Sequence, residues 1–307
     1  MEKTSGGVFA LRHLMTIVRE VSFDDLRQEA TTPPRVLILA PDPAAGRELG
    51  MRLVGPGGEG AFSARGLDAH LGDAGQFDVV VVYDPERTGA TARTEDHLRL
   101  DGIMTPVVKF AGLSPSDETA IEHLRAAIVK QVPARAPAFG RALPSFRPAA
   151  TKAVIDDTAL ANAQFALVSN IPSIVPIVGS LASAGADLIV LTKNQVMMIF
   201  KLAAINGKDL HDQIRLLQEV APVIGAGFVW RTAAREMASF LPFAAGTIPK
   251  VAVAYVGTVT IGRAADVYYR TNRKPTREQL DQFRRQALDA ARRLPLPKPG
   301  RKADGAG

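Results

Sequence analysis

Apolar residues fall along this chain in two rhythms. In the first half they come as short runs separated by polar, Gly- and Pro-bearing segments: Val36–Ala40 (VLILA), 77–83 (FDVVVVY) and 105–111 (TPVVKFA). Runs of this length, apolar at successive positions, suit strands buried on both faces of a parallel sheet. Amphipathic stretches lie between them. Asp42-Pro43 opens a predicted helix over 44–54, and 118–132 sets Ile121, Leu124, Ile128 and Val129 on one side of another. The Gly-rich stretch 55–76 predicts no definite strand. This alternation predicts a small Rossmann-like α/β domain with a mostly parallel sheet over 35–132, after a helical lead at 1–34. Any ligand is then expected at the strands' carboxyl ends, at 40–42 and 84–86.

The second rhythm is continuous. The stretch 133–148 (PARAPAFGRALPSFRP) carries four prolines and predicts an extended linker over 133–150. Beyond it, Asp187 is the single formal charge in 165–191, and Lys250 the single one in 237–262. Pro172, Pro176 and Gly179 break the first of these tracts. A helix is then expected from Asp187 to Asn206, spanning about 30 Å. Its polar stripe is narrow, with Asp187, Asn194 and Lys201 recurring every seven residues. A helix apolar over most of its circumference is buried in a large core or in lipid. Farther on, Ala254, Thr258 and Gly262 lie four apart, a small-residue ridge that lets two helices approach closely. The pattern predicts an all-α hydrophobic domain over 151–272, with a transmembrane helix among its elements. A basic helix and disordered tail follow over 273–307.

Charge sharpens the division. Residues 1–150 hold 17 Lys/Arg against 19 Asp/Glu, whereas 151–307 hold 20 against 12. A basic segment directly after an apolar tract suits the cytoplasmic side of an anionic membrane. The expectation is a membrane-associated protein with its N-terminal domain cytoplasmic and membrane lipids as partners, alone or with a protein partner or a second copy. Aromatic residues make up 6% of the chain, too few for a base-stacking surface, and no nucleic-acid motif accompanies the basic residues. The absence of cysteine removes disulfides and thiolate metal sites. No signal peptide stands out in 1–30.

Catalytic chemistry has little foothold. A phosphate-binding loop needs glycine N–H groups, a Lys and a Ser or Thr. After the first strand this chain offers Pro41-Asp42-Pro43-Ala44-Ala45-Gly46-Arg47-Glu48 instead. Gly55, Gly57 and Gly60 fit G-x-G-x-x-G formally, yet they follow a predicted helix and enclose Pro56, which makes them a turn. A phosphoacceptor role for Asp84 at a strand end would need an acidic pair after the first strand and a hydroxyl on 107–111, and both are missing. Asp84 reads instead as a turn former or helix cap. The five histidines, His13, His70, His97, His123 and His211, have no metal-ligand spacing, and no cofactor or metal site is expected. In the helical half, Asp187, Gln195, Arg231 and Thr258 are the polar positions to weigh. They lie either on an ion or ligand path, or serve as a cap, an interhelical bond, an ion pair and a packing residue.

Several motifs in this half resemble the YcjF-type family of bacterial membrane-associated proteins. They are Ala186-Asp187-Leu188, Thr192-Lys193-Asn194-Gln195-Val196-Met197-Met198, Asn206-Gly207, Gly225-Ala226-Gly227 with Arg231 and Arg235, and Val253 to Thr258 with Gly262 and Tyr268. The resemblance spans about residues 155–272. It implies a helical domain of unknown function, often fused to or encoded near Era-like or dynamin-like GTPases. The first half is then similar to a degenerate GTPase-like domain, with VLILA as the phosphate-loop strand. Phe110-Ala111-Gly112 stands where a guanine-reading Asn-Lys-x-Asp would be expected. The implied function is non-enzymatic: a cytoplasmic GTPase-like module on a hydrophobic anchor or assembly domain. The alternative is a soluble two-domain binding module for a GTPase or an apolar ligand.

Overall fold

A computed structural model describes residues 23–168, 180–212, 215, 216, 219 and 247–294. Helix α1 (Asp24–Thr31) leads into β1 (Val36–Ala40), α2 (Pro43–Val54), β2 (Phe62–Gly66), β3 (Val79–Tyr83), α3 (Ala90–Leu100), β4 (Val107–Phe110) and α4 (Glu118–Gln131). The four strands are all parallel, in the order β2-β1-β3-β4. Every residue of β1 and β3 is buried. Because side chains alternate across a pleated strand, the two faces feed two cores. Leu37, Leu39, Val80 and Val82 pack with Leu98 of α3, while Val36, Ile38, Val79 and Val81 join Leu49, Ile121 and Ile128 of α2 and α4. β2 escapes the sequence pattern because it is an edge strand, half-buried along its whole length. Its Phe-Ser-Ala-Arg-Gly therefore needs no apolar run.

Residues 133–150 depart from the extended linker that their prolines predict. They form α5 (Ala136–Ala142) between two short 3-10 turns at Pro133–Arg135 and Pro144–Phe146, and then enter α6 (Arg147–Val168). Proline lacks an N–H, but the N–H groups of a helix's first turn have no acceptor within the helix, and all four prolines here fall in the first turn of an element. Five consecutive residues of α5, Ala136 to Gly140, are buried. Phe139 and Phe146 are fully enclosed, with ring centroids 5.0 Å apart. Arg135 fastens this segment to the sheet domain. Its Nε donates to Asp78 at 2.8 Å and its Nη atoms donate to the carbonyls of Glu29 and Thr32.

The helical layer consists of α5, α6, α7 (Ser180–Ile205), α8 (Thr247–Thr271) and α9 (Arg277–Ala291). α7 packs against α5, α6 and α8, while α6 also touches α4 and α9 lies on α8. The core cluster on one face of the sheet continues through Phe139 and Phe146 into Ile199, Leu202, Val256 and Ala265 without a break. The basic segment after α8 starts with a capping box. Thr276 accepts from the Gln279 N–H, and Gln279 accepts from the Thr276 N–H.

No helix among the described residues is long and apolar enough to cross a membrane, which overturns both the transmembrane helix and the membrane location expected from the pattern. The described C-terminal half of the expected helix is covered by protein instead. Val196, Met198 to Phe200 and Leu202 to Ile205 of α7 are each at most 1% exposed. α7 also begins at Ser180, seven residues before the expected start, so Asp187 lies inside the helix and does not cap it. The small residues 182–186 continue the helix where a charged cap was expected to open it.

Replacing Phe139 with Ala should lower unfolding free energy by about 3–5 kcal/mol, as for other buried aromatic truncations. Urea denaturation followed by circular dichroism measures it. A change near zero would restore the linker.

Candidate functional site

Parallel α/β sheets bind ligands outside the strands' carboxyl ends, where successive connections leave to opposite sides. Here that point lies between β1 and β3. β1 runs into Pro41 and Asp42. Asp42 holds an extended backbone and accepts the Ala44 N–H at 3.0 Å, with Pro43 as the first helical residue of α2. Its carboxylate is thus an N-cap. Gly46, at the position a phosphate loop would use, faces the sheet. A Cβ there would stand 3.1 Å from the Ala64 Cβ and 3.3 Å from the Ala40 Cβ. Glycine serves close helix–strand packing at this point. Gly55 ends α2 with a positive φ of 74°, and its N–H bonds the Met51 carbonyl, so the glycine motif is a helix C-terminus.

β3 ends at Tyr83, and Asp84 follows it, 6% exposed. One carboxylate oxygen accepts the Thr88 N–H at 2.9 Å and its hydroxyl at 3.1 Å; the other accepts the Ala90 N–H at 3.0 Å. Burial pushes the Asp84 carboxyl up, but the hydrogen bonds from Thr88, Ala90 and Gly89 together outweigh it and hold the group below the usual carboxylate range. The side chain ties β3 to the first turn of α3. Tyr83 beside it donates to the Leu113 carbonyl at 2.9 Å and meets Phe110 edge-on at 5.5 Å. Asp42 and Asp84 are therefore both engaged as helix anchors, while Glu86 beside them is exposed.

A second polar group sits within the helices. Asn162 of α6 is completely buried. Its Nδ2 donates to the Thr258 hydroxyl of α8 at 2.9 Å, and its Oδ1 accepts from Nδ2 of Asn194 of α7 at 2.8 Å. The Thr258 hydroxyl in turn donates to the Ala254 carbonyl at 2.8 Å. Three helices are joined by one hydrogen-bonded chain. One turn along, Gly262 meets α6 and α7 together: a Cβ would stand 2.7 Å from Ile155 Cγ1 and 3.1 Å from Met198 Sδ. Ala254 is half-buried at the far end of the ridge.

Of the four polar positions singled out from the sequence, Thr258 enters this chain of bonds. Gln195 stands half-buried beside Asn194 without being part of it. Asp187 is placed within α7 but its side chain lies outside the described residues, as does Arg231 altogether. The pattern missed Asn162. Its one signal was an amide alone in the Ala-rich run Ala159-Leu160-Ala161-Asn162-Ala163. Asn194 was visible as part of the seven-residue stripe, but not its partner.

No protein-family model, curated protein or solved structure matches the chain.

Changing Asn162 to Leu should cost about 1–3 kcal/mol, because the buried Thr258 hydroxyl loses its donor and the half-buried Asn194 amide its acceptor. Leu160→Ala, at a position 42% exposed, should cost far less. Equal midpoints in urea would remove the bonded chain from the account of stability. A separate test concerns Asp84. A carboxyl held below its unfolded value of about 3.9 contributes stability that is present above that pH and lost as pH falls toward its folded pKa. Asp84→Ala should therefore be less stable at neutral pH and lose less on acidification below pH about 4. Parallel acid limbs in wild type and variant would show that Asp84 is not an ionised anchor.

Proposed function

We propose that the chain is a non-catalytic, protein-binding module: a GTPase-like α/β unit without nucleotide chemistry, continuous with a helical unit of the YcjF type, whose partner is a GTPase of the Era-like or dynamin-like kind. The observation that carries the non-catalytic reading is the engagement of Asp42 and Asp84 as helix anchors at the sheet's switch point. A triphosphate needs N–H donors and cations there. The position offers a carboxylate at 42, prolines at 41 and 43, and a glycine turned onto the strands.

The YcjF-type resemblance supports the helical half of the reading. Asn194, Thr258 and Gly262 all belong to its motifs, and they are the residues through which α6, α7 and α8 meet. The unbroken core favours a protein in which both halves act as one body on a partner.

Incubation of the full chain with GTP and magnesium should release no inorganic phosphate. Hydrolysis above the buffer blank that is lost in an Asp84→Asn variant would overturn the non-catalytic reading. Light scattering after size exclusion, with purified Era-like and dynamin-like GTPases in GDP and GTP-analogue states, tests the partner. A complex in at least one state is expected. No complex in any state would sink that part of the proposal.

A further inference from the structure

α6 and α8 run side by side, and their solvent side encloses a groove of about 370 Å³. Its walls carry Arg147, Lys152 and Asp156 from α6 and Arg263, Asp266 and Arg270 from α8, with Thr151 and Ile155 between them. The charges are not evenly matched. Lys152 pairs with Asp156, and Arg270 pairs with Asp266 at 2.8 Å. Thr151 adds a long contact of 3.5 Å to Asp266. Each carboxylate is thereby answered by one cation.

Arg147 and Arg263 remain. Arg147 donates through Nε to the Gly140 carbonyl at 3.3 Å, which leaves the outer fork of its guanidinium without a carboxylate. Arg263 bonds the neutral Gln286 amide of α9 and lies 5.9 Å from the Phe283 ring centroid. Neither forms an ion pair among the described residues. Both are half-buried, so each is held partly out of water while facing the same groove. Arginine forks match phosphate and carboxylate oxygens in pairs.

Their placement adds a length. Thr151 lies opposite Asp266 and Ile155 opposite Gly262, so the two helices are antiparallel. Arg147 then stands beside Arg270 at one end and Arg263 beside Lys152 at the other. Arg263 and Arg270 are seven residues apart, about 10 Å along the helix axis. Each end carries one unanswered positive charge, and Thr151 and Ile155 form a neutral floor between.

We propose that this groove binds a small molecule bearing two or more linked phosphate groups, with Arg147 gripping one end and Arg263 the other. It is independent of the GTPase-partner reading, since it uses neither the sheet edge nor a docked protein. Linked phosphates span the neutral floor, whereas a single phosphate reaches one arginine only. Asp156 and Asp266 oppose binding and favour ligands that carry enough charge to displace them.

Isothermal titration of the full chain with inorganic tripolyphosphate, against orthophosphate, tests the proposal. Saturable binding of tripolyphosphate at one site is expected, with affinity at least about tenfold above orthophosphate. Arg147→Gln and Arg263→Gln should each weaken it about tenfold, the loss of a charge-assisted contact. Arg285→Ala, removing an exposed cation on α9, should leave it unchanged. Asp156→Asn should strengthen binding several-fold, a result that a misfolded variant cannot mimic. Equal losses at positions 147, 263 and 285 would mean nonspecific attraction to a basic protein and overturn the site. So would an Asp156→Asn variant that binds no better than wild type.

Discussion

The structure depends on covering the last ten residues of α7. From Val196 to Ile205 this helix is buried nearly all round, and a helix apolar on every side has no stable place at a water interface. Four helices meet the requirement: α5, α6 and α8 pack against it, and α1 joins them where Phe23 and Phe200 meet at 4.2 Å. α5 is itself so thoroughly buried that it exists as a helix only because both layers enclose it. Gly140 shows how close the fit is, since a Cβ there would stand 2.9 Å from the Ile205 side chain. Arg141 completes the joint by donating to the Lys208 carbonyl at 2.9 Å, just past the end of α7. The same segment is anchored at its other end by Arg135, so sheet and helices are held at one junction.

Hydrophobic burial is non-directional, and Ala-, Val- and Ile-rich helices can slide against each other at small cost. The Asn194–Asn162–Thr258 chain removes that freedom. A shift of one turn would leave a fully buried amide without partners, a penalty of about 1–3 kcal/mol per unsatisfied group. Gly262 adds a steric stop at the next turn. Polar and steric constraints therefore set register, while apolar area supplies most of the stabilisation.

The sheet domain spends its polar groups in the same way. Asp42, Asp84 and Asp117 each accept from the N–H groups of a following helix. Arg125, 7% exposed, closes α2 from the opposite end by donating to the carbonyls of Arg52 and Leu53. Asp42 and Asp84 are tied up in this way at the switch point, where they hold the starts of α2 and α3. Two half-buried cations without an ion pair among the described residues, Arg147 and Arg263, lie on the groove between α6 and α8. Structure and chemical opportunity thus separate onto different faces of the molecule.

Elements whose burial is complete and local can be read from the residues alone. β1 and β3 were legible because a strand covered on both faces must be apolar at every position, and the helix over Glu118–Gln131 because its one-sided burial repeats at helical spacing. The small-residue ridge was legible for the same reason: four-residue spacing puts Ala254, Thr258 and Gly262 on one face whatever covers it. The nature of the cover was decided only by the tertiary structure. An apolar helix reads alike in lipid and in a protein core, since both present hydrocarbon, and only the placement of α5, α6 and α8 around α7 tells them apart. Residues 133–150 depart from their local preference because proline favours extended chain, while burial between two layers makes helix and turns of them. Asn162 meets Asn194 and Thr258 across 32 and 96 residues of chain, and Arg147 shares a groove with Arg263 in the same manner. No local period encodes such meetings, because they are set by the packing of helices that the sequence describes one at a time.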